Sequence, residues 1–171
     1  MIKVHVFHTG AVKVDQAIPL HEKNPLAVTG LLRGEDKKMI LPVSCYLIEH
    51  PKGNILIDTG WDTKYADIRP IEKMGMVDKI SGPIIRHGEG VDDKLKELGL
   101  SDTDLKAVYL SHMDFDHTSG LRLVKHAQGF YASKEEIEDA GRLKLRYVDT
   151  WTGIVMSQLP GTKVTGLQEM I

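Results

Sequence analysis

Alternating apolar and polar positions open the chain. Ile2–Phe7 alternates at the two-residue period of a strand that is buried on one face. Met39–Glu49 is an apolar run typical of a buried strand, and Pro42 restricts the start of that run to a sheet edge or a bulge. After a turn rich in Pro, Gly and Asn, Ile55–Asp58 has the composition of a second strand. Residues 43–58 are therefore predicted to form a β-hairpin.

Two long stretches lack a clear period. Residues 8–38 contain several glycines and prolines, and we predict a connecting segment with a short strand near Ala11–Val14. Residues 61–89 are predicted to be irregular with short helices, and Gly82-Pro83 is expected to break the chain.

The second half of the chain changes to helical spacing and back. Val91–Leu98 has apolar residues on one helical face, and Gly99 is a natural residue to end that helix. Asp104–Leu110 is a short apolar strand. Leu121–Val124 is apolar as well.

The last predicted elements are a strand and a capped helix. Phe130–Ala132 is predicted as the strand. Ser133 and Glu136 have the spacing of a capping box, which predicts a helix to about Ala140. Strands dominate early and helices alternate with strands later, which indicates a layered α/β or α+β domain.

Composition narrows the possible functions. The 171 residues suffice for one domain, and we treat residues 1–171 as a single domain. Lys and Arg number 22 against 24 Asp and Glu, for a net charge of −2, which argues against nucleic acid as the main partner. The single cysteine, Cys45, excludes an internal disulfide and a cysteine-based zinc site. The sequence has no apolar run long enough to span a membrane and no signal-like start. We therefore expect a cytoplasmic location and no association with a membrane.

Candidate chemistry is concentrated in one short segment that follows the predicted strand 104–110. His112, Asp114, Asp116 and His117 are four potential metal ligands within six residues. Imidazole and carboxylate groups are ligands for zinc, manganese or iron. We expect one ion at 112 and 114 and a second at 116 and 117, a pair that activates water for attack at neutral pH. The alternative interpretation is that each of these residues, taken singly, belongs to a solvated polar loop that binds no metal.

These residues resemble a known family. The segment YLSHMDFDHTSGL (109–121) resembles the His-x-His-x-Asp-His signature of the metallo-β-lactamase superfamily, in the branch that contains lactonases and glyoxalase II. ILIDTG (55–60) is similar to the strand of that superfamily that ends in Asp-Thr-Gly, in which the Asp supports the metal ligands by hydrogen bonding. Asp58 is the residue at that position, and the resemblance extends over roughly residues 1–150.

The resemblance implies a fold and an activity. The fold is the metallo-β-lactamase-like αββα sandwich, and the activity is metal-dependent hydrolysis of an ester, lactone or thioester. His112, Asp114, Asp116 and His117 are then the metal ligands, and Asp116 is the catalytic residue that orients the attacking hydroxide as ligand and base. Zinc is the implied cofactor, up to two ions, and the partner is a small-molecule substrate.

Two departures from the signature modify these expectations. Asp114 stands where the signature has its second His, which shifts the metal preference toward manganese or iron. No His follows His126, so the later ligands of the signature have no counterpart in the sequence. We therefore expect a domain truncated to roughly its N-terminal half, low metal occupancy, and a homo-oligomer that covers the exposed sheet.

Two other functions fit parts of the sequence. Asp114, Asp116 and Thr118 also match the D-x-D-x-T pattern of haloacid dehalogenase-like phosphatases, which leaves His112 and Asp58 without a role. A truncated domain could also be a non-catalytic module for metal binding or assembly.

Overall fold

A single mixed β-sheet organises the described part of the protein. A computed structural model describes residues 1–20, 33–67, 81–142 and 164–166. Seven strands lie in this sheet in the order β4-β1-β2-β3-β5-β6-β7. Their bounds are β1 Lys3–Asp15, β2 Lys38–Glu49, β3 Asn54–Ile57, β4 Ser81–Ile84, β5 Leu105–Tyr109, β6 Phe130–Ala132 and β7 Val164–Gly166.

The helices of the described ranges are short. They are α1 Ala17–Leu20, α2 Lys64–Asp67, α3 Val91–Glu97, α4 Phe115–Thr118 and α5 Lys134–Arg142, with 3₁₀ turns at Glu35–Lys37, Asp102–Asp104 and Ser119–Val124. None of these helices has the length and hydropathy needed to cross a membrane. The predicted α3 is confirmed, and Gly99 follows it with a positive φ of 73° while Leu100 N–H donates to the Leu95 carbonyl.

The first strand is longer than the sequence predicts. β1 extends through residues that we assigned to a connecting segment, and it pairs antiparallel with β2 along its length. An irregularity between His8 and Ala11, which contains Gly10 at a φ of 95°, interrupts the alternation of the sequence within this strand. The alternating pattern therefore predicts only the first part of β1. This bulge shifts the alternation, so Val12 and Val14 point inward again beyond it. The rest of the predicted connecting segment contains α1 and a 3₁₀ turn, and residues 21–32 lie outside the described ranges.

The predicted hairpin is confirmed. β2 pairs antiparallel with β3 over Tyr46–Ile48 only. Pro42 pairs opposite Ala11 of β1, away from the part of β2 that β3 covers. Proline is tolerated there because one side of the strand has no partner strand in the described ranges.

The expectation that Gly82-Pro83 breaks the chain is wrong. Both residues lie in β4, which pairs antiparallel with residues 11–14 of β1 at the edge of the sheet. An edge strand has a free side toward which a proline nitrogen can point, so the proline does not interrupt the ladder. The expected short helix within 61–89 is present as α2, and residues 68–80 lie outside the described ranges.

The parallel half of the sheet brings two strand ends together. β3, β5, β6 and β7 are parallel neighbours, and Ile57 lies beside Tyr109. The residues that follow these two therefore meet at one edge, where Asp58 N–H donates to the Tyr109 carbonyl at 2.8 Å. Carboxyl ends of parallel strands are a common place for functional sites in α/β proteins.

The hydrophobic core lies on one face of the sheet. Strand residues such as Leu47, Leu56 and Val108 are fully buried against Val91 and Leu95 of α3 and against the 3₁₀ turn at 119–124. A second cluster packs Trp61 and Tyr65 on the far end of β1 and β2; its buried members are Val12, Val14, Val43, Trp61, Tyr65 and Ile85. The opposite face keeps apolar side chains exposed.

That exposed face is crossed by a row of apolar side chains. The pairing partners Val6, Tyr46, Ile57, Tyr109 and Tyr131 form one line over five strands, and we call this row the open face. Val6 is 54% exposed and Tyr46 is 40% exposed. Tyr109 and Tyr131 stack with ring centroids 5.1 Å apart.

Candidate metal centre

The predicted ligands lie in the loop between β5 and α4 and in α4 itself. His112, Asp116 and His117 converge so that one ligand atom of each lies within 4.8 Å of the others. The rings of His112 and His117 have centroids 4.0 Å apart. The backbone turn of α4 brings them together, since His117 N–H donates to the Asp114 carbonyl at 3.0 Å.

Asp114 has a different position from the other three. It precedes α4 as the N-cap residue, and its Oδ2 lies 3.5 Å from His112 Nε2. It is not part of the group of three that converges. The donors therefore combine as three in one group, with Asp114 beside His112, instead of as the two pairs that the sequence suggests.

Asp58 lies behind this group, where the sequence analysis expects it. Its Oδ2 accepts from His117 Nδ1 at 2.9 Å and from Ser111 Oγ at 2.7 Å. Its Oδ1 accepts the Ser111 backbone N–H at 2.8 Å. The Asp58 side chain thus fixes the His117 ring with Nδ1 bound and leaves Nε2 on the side of Asp116, whose Oδ2 is 3.6 Å away.

The charges of the site depend on burial and on these contacts. Burial raises the pKa of Asp58, but hydrogen bonds from His117 and Ser111 outweigh it and hold that pKa below its ordinary value. Burial lowers the pKa of His117, and the bond to Asp58 and the nearby Asp116 charge reverse this into a net rise. Burial raises the pKa of Asp116 despite the neighbouring His117. A half-buried carboxylate of raised pKa beside two imidazoles is a group that a cation stabilises.

Close backbone packing joins the two motifs under the site. Thr59 N–H and Thr59 Oγ1 both donate to the His117 carbonyl, at 2.8 and 2.9 Å. Gly120 N–H donates to the Gly60 carbonyl at 2.9 Å. A Cβ on Gly120 would lie 2.4 Å from the Thr59 carbonyl oxygen, so only glycine allows this approach.

A buried ion pair strengthens the same junction. Asp62 is fully buried, and Arg122 donates to both of its carboxylate oxygens, at 2.9 and 2.7 Å. Asp62 N–H also donates to Ser119 Oγ at 3.0 Å. No local pattern in the sequence predicts this pair, because its members are 60 positions apart.

The other histidines of interest pair elsewhere. Within the described ranges, His5 contacts Glu49, His8 contacts Ser44, and His87 contacts Asp67. The group of three at 112, 116 and 117 therefore draws on one short stretch of the chain.

The residues present fit a zinc-type ion. Two imidazoles and one carboxylate converge, and three such protein ligands plus an open position are typical of catalytic zinc sites. The bond from His117 Nδ1 to Asp58 is the outer contact by which proteins orient a ligating histidine.

The sequence matches a protein-family model and several curated proteins. Residues 40–154 match the model of the metallo-beta-lactamase superfamily. An N-acyl homoserine lactonase AttM of Azorhizobium caulinodans is 37% identical over 81 residues, which are 47% of this chain and 30% of that protein. The N-acyl homoserine lactonase AiiA of Bacillus thuringiensis is 32% identical over 84 residues, which are 49% of this chain and 34% of that protein.

Solved structures share the fold over nearly the whole chain. An N-acyl homoserine lactone hydrolase with the product N-hexanoyl-L-homoserine at its catalytic metal center aligns with a TM-score of 0.71 at 22% identity, covering 96% of this chain and 59% of that one. AidC, a dizinc quorum-quenching lactonase in complex with a product, aligns with a TM-score of 0.58 at 16% identity, covering 97% of this chain and 58% of that one. The chain thus spans about three-fifths of the solved proteins, and its matched stretch about a third of the curated relatives.

Proposed function

Because the chain belongs to the metallo-β-lactamase superfamily, we propose that it carries the metal-binding half of a metal-dependent hydrolase acting on an ester, lactone or thioester. The observation that carries this proposal is the convergence of His112, Asp116 and His117 in front of Asp58. A phosphatase of the haloacid dehalogenase type is set aside, since that function rested on sequence pattern alone and the family is now known.

A lactone is the substrate class that we favour. The curated relatives named above are N-acyl homoserine lactonases, and the stretch that matches the family model, residues 40–154, includes both Asp58 and the metal loop. The chain spans only part of those proteins, so the assignment of a lactone to this chain is a proposal for experiment.

Zinc is the proposed metal, with up to two ions and low occupancy. The group of three supplies the nitrogen and oxygen donors that zinc takes, whereas Asp114 beside His112 adds a hard ligand that also suits manganese or iron.

The residues of the site have distinct proposed roles. An ion bound there would polarise the substrate carbonyl and activate water. His112, Asp116 and His117 would hold the ion, and Asp58 would keep the His117 ring oriented. Asp116 is also the proposed catalytic residue, which orients the attacking hydroxide as ligand and base.

We also propose that the protein is a homo-oligomer in a reducing compartment such as the cytoplasm. The open face spans about 20 Å of sheet, and a second copy would cover the apolar side chains that are exposed on it. Cys45 is a free, buried thiol, as expected where disulfides do not form.

Metal titration and a hydrolysis assay on the same preparations test the proposal. The chain is stripped with a chelator and titrated with Co²⁺ and Zn²⁺, and turnover of N-hexanoyl homoserine lactone and p-nitrophenyl acetate is measured. We expect fewer than two bound ions per chain, since the three converging donors form one site and Asp114 beside His112 leaves a second site short of ligands. Hydrolysis should be weak and should require the ion. His112→Ala and Asp116→Ala should remove both, whereas His126→Ala, remote from the loop, should leave both unchanged.

The outcomes separate the candidate functions. Metal binding without turnover favours the non-catalytic module. Absence of metal binding in the unmodified chain contradicts both the hydrolase and the metal-binding module.

A further inference from the structure

Glu136 contacts the metal loop from another element. Its Oε2 accepts the backbone N–H of Met113 at 3.0 Å, across 23 positions of sequence. The capping-box spacing predicts that Glu136 serves the start of its own helix. Ser133 does so, since its Oγ accepts Glu136 N–H at 3.1 Å, while the Glu136 carboxylate reaches the loop.

The start of α5 gives Glu136 a fixed origin. Ser133 also accepts Ile137 N–H at its carbonyl, at 3.2 Å, and Ile137 packs against the main core. Because the helix start is held by both contacts, the Glu136 side chain approaches Met113 from a defined place.

The loop is held by carboxylates on both sides of His112. Asp58 accepts the N–H of Ser111 on one side, and Glu136 accepts the N–H of Met113 on the other. The Met113 side chain is only 5% exposed and belongs to the main core. His112, whose side chain is 34% exposed, therefore extends from a backbone that is fixed before and after it.

We propose that Glu136 is a positioning residue of the metal centre. By binding Met113 N–H it sets the path of the loop, and so the position of His112 relative to Asp116 and His117. The inference deepens the proposed function and rests on it, since it assumes that these three residues hold a metal ion. Groups that hydrogen-bond to a metal ligand typically contribute 10- to 100-fold in affinity, and Glu136 bonds the backbone next to such a ligand, so we expect an effect at the lower end of that range.

Three variants separate positioning from charge and from stability. Glu136→Ala removes the acceptor, and Glu136→Gln removes the charge but keeps an oxygen that can accept the same N–H. Glu135→Ala removes one charge from the same turn at an exposed residue. Each variant and the unmodified chain are titrated with Co²⁺, followed by its visible absorption, and Zn²⁺ affinity is obtained by competition. Thermal unfolding of the metal-free proteins is recorded in parallel.

We expect Glu136→Ala to bind Co²⁺ about tenfold or more weakly and with an altered visible spectrum, because His112 moves. Glu136→Gln and Glu135→Ala should bind within about threefold of the unmodified chain, since each keeps the acceptor for Met113 N–H. The metal-free melting temperatures of the two Glu136 variants report any general loss of stability separately.

Three results overturn the inference. Equal Co²⁺ affinity and spectrum in Glu136→Ala would show that the loop needs no such support, while the proposed function stands. Equal weakening in Glu136→Gln and Glu136→Ala would assign the effect to charge. Absence of Co²⁺ binding in the unmodified chain overturns the proposed function and this inference with it.

Discussion

At the scale of single residues, Asp58 combines an unusual backbone conformation with hydrogen bonds to the candidate metal site. It is 97% shielded from solvent and adopts a left-handed φ of 60°, which is uncommon for a residue other than glycine. This conformation directs both carboxylate oxygens toward Ser111 and His117. Such outliers concentrate at functional sites, where the surrounding contacts compensate for the backbone strain.

Replacing Asp58 should reduce the affinity for metal more than it reduces the stability of the fold. We expect Asp58→Asn to lower Zn²⁺ affinity about 10- to 100-fold, because the His117 ring loses its charged acceptor. Competition titration of the chelator-stripped protein measures this. Asp102→Asn is the matched control, since Asp102 accepts from His126 Nδ1 at 2.9 Å away from the metal loop. An equal loss of affinity in both variants contradicts the role given to Asp58.

Cys45 should be chemically silent in the native protein. It is fully buried, and burial raises its thiol pKa to about 12. At pH 8 the thiol is then almost entirely protonated, and reagents have no path to it. We expect no reaction with a disulfide-exchange reagent in native buffer and complete reaction of one thiol per chain in denaturant. Rapid labelling of the native protein would contradict the packing of β2.

At the scale of elements, the site depends on how tightly the end of β3 approaches α4 and the 3₁₀ turn behind it. Gly60 has a φ of 66°, and a Cβ there would lie 2.0 Å from Thr9 Oγ1 of β1. The space around the Asp-Thr-Gly segment (58–60) is thus restricted on two sides, by Thr9 on one side and by Gly120 on the other. Glycine at 60 is required by conformation and by space at once.

A pair of glycine variants isolates the effect of space. Gly60 and Gly88 both have a positive φ, but a Cβ on Gly88 meets nothing within 4 Å. We expect Gly88→Ala to cost about 1 kcal/mol in unfolding free energy, from backbone strain alone. Gly60→Ala should cost roughly 2 kcal/mol more, because Thr9 must move. Urea unfolding of the metal-free proteins gives both values, and equal costs would contradict the close approach at Thr9.

At the scale of the whole molecule, the described sheet has its core on one face and apolar side chains exposed on the other. Contiguous exposed apolar patches often mark interfaces between proteins. The open face runs through the centre of the sheet, so an occupant there contacts five strands at once.

A charged substitution on the open face should dissociate the protein. We expect sedimentation velocity to report a dimer for the unmodified chain and a monomer for the double variant Val6→Lys, Tyr46→Lys, because two like charges per copy then meet in an apolar interface. Leu98→Lys is the control, since Leu98 is an exposed apolar residue at the end of α3. A monomer throughout the accessible concentration range, without any substitution, would rule out the second copy as the occupant.

Acid should weaken the protein partly through Asp15. The Asp15 side chain has no exposed surface, and the hydrogen bond from Arg33 holds its pKa below the ordinary value. A lowered folded-state pKa gives stability that is present above the unfolded value of about 3.9 and is lost as the pH falls through the folded value. We expect the melting temperature of Asp15→Asn to fall less steeply below pH 5 than that of the unmodified chain. Asp36→Asn, a substitution at an exposed position, is the control for removing one aspartate charge.

Local sequence determined most elements and the kinds of metal donor. Alternation predicts the start of β1, and apolar runs predict β2, β3 and β5. Helical spacing with Gly99 predicts α3, and Ser133 marks the start of α5. These features were predictable because they depend on neighbours a few positions apart. The same holds for the donor set at 112–117, whose members are close in the chain before any folding.

Only the tertiary structure decided which of these groups meet. The bulge at Gly10 and the edge strand at Gly82-Pro83 follow from pairing between distant segments, and local composition misassigned both. The contact of Asp58 with His117, the Asp62–Arg122 pair and the reach of Glu136 to Met113 all depend on where separate elements lie in the sheet. The sequence alone determined the chemistry available to this protein, and long-range packing decided its geometry, because contacts across 20 to 60 positions leave no periodic signal in the chain.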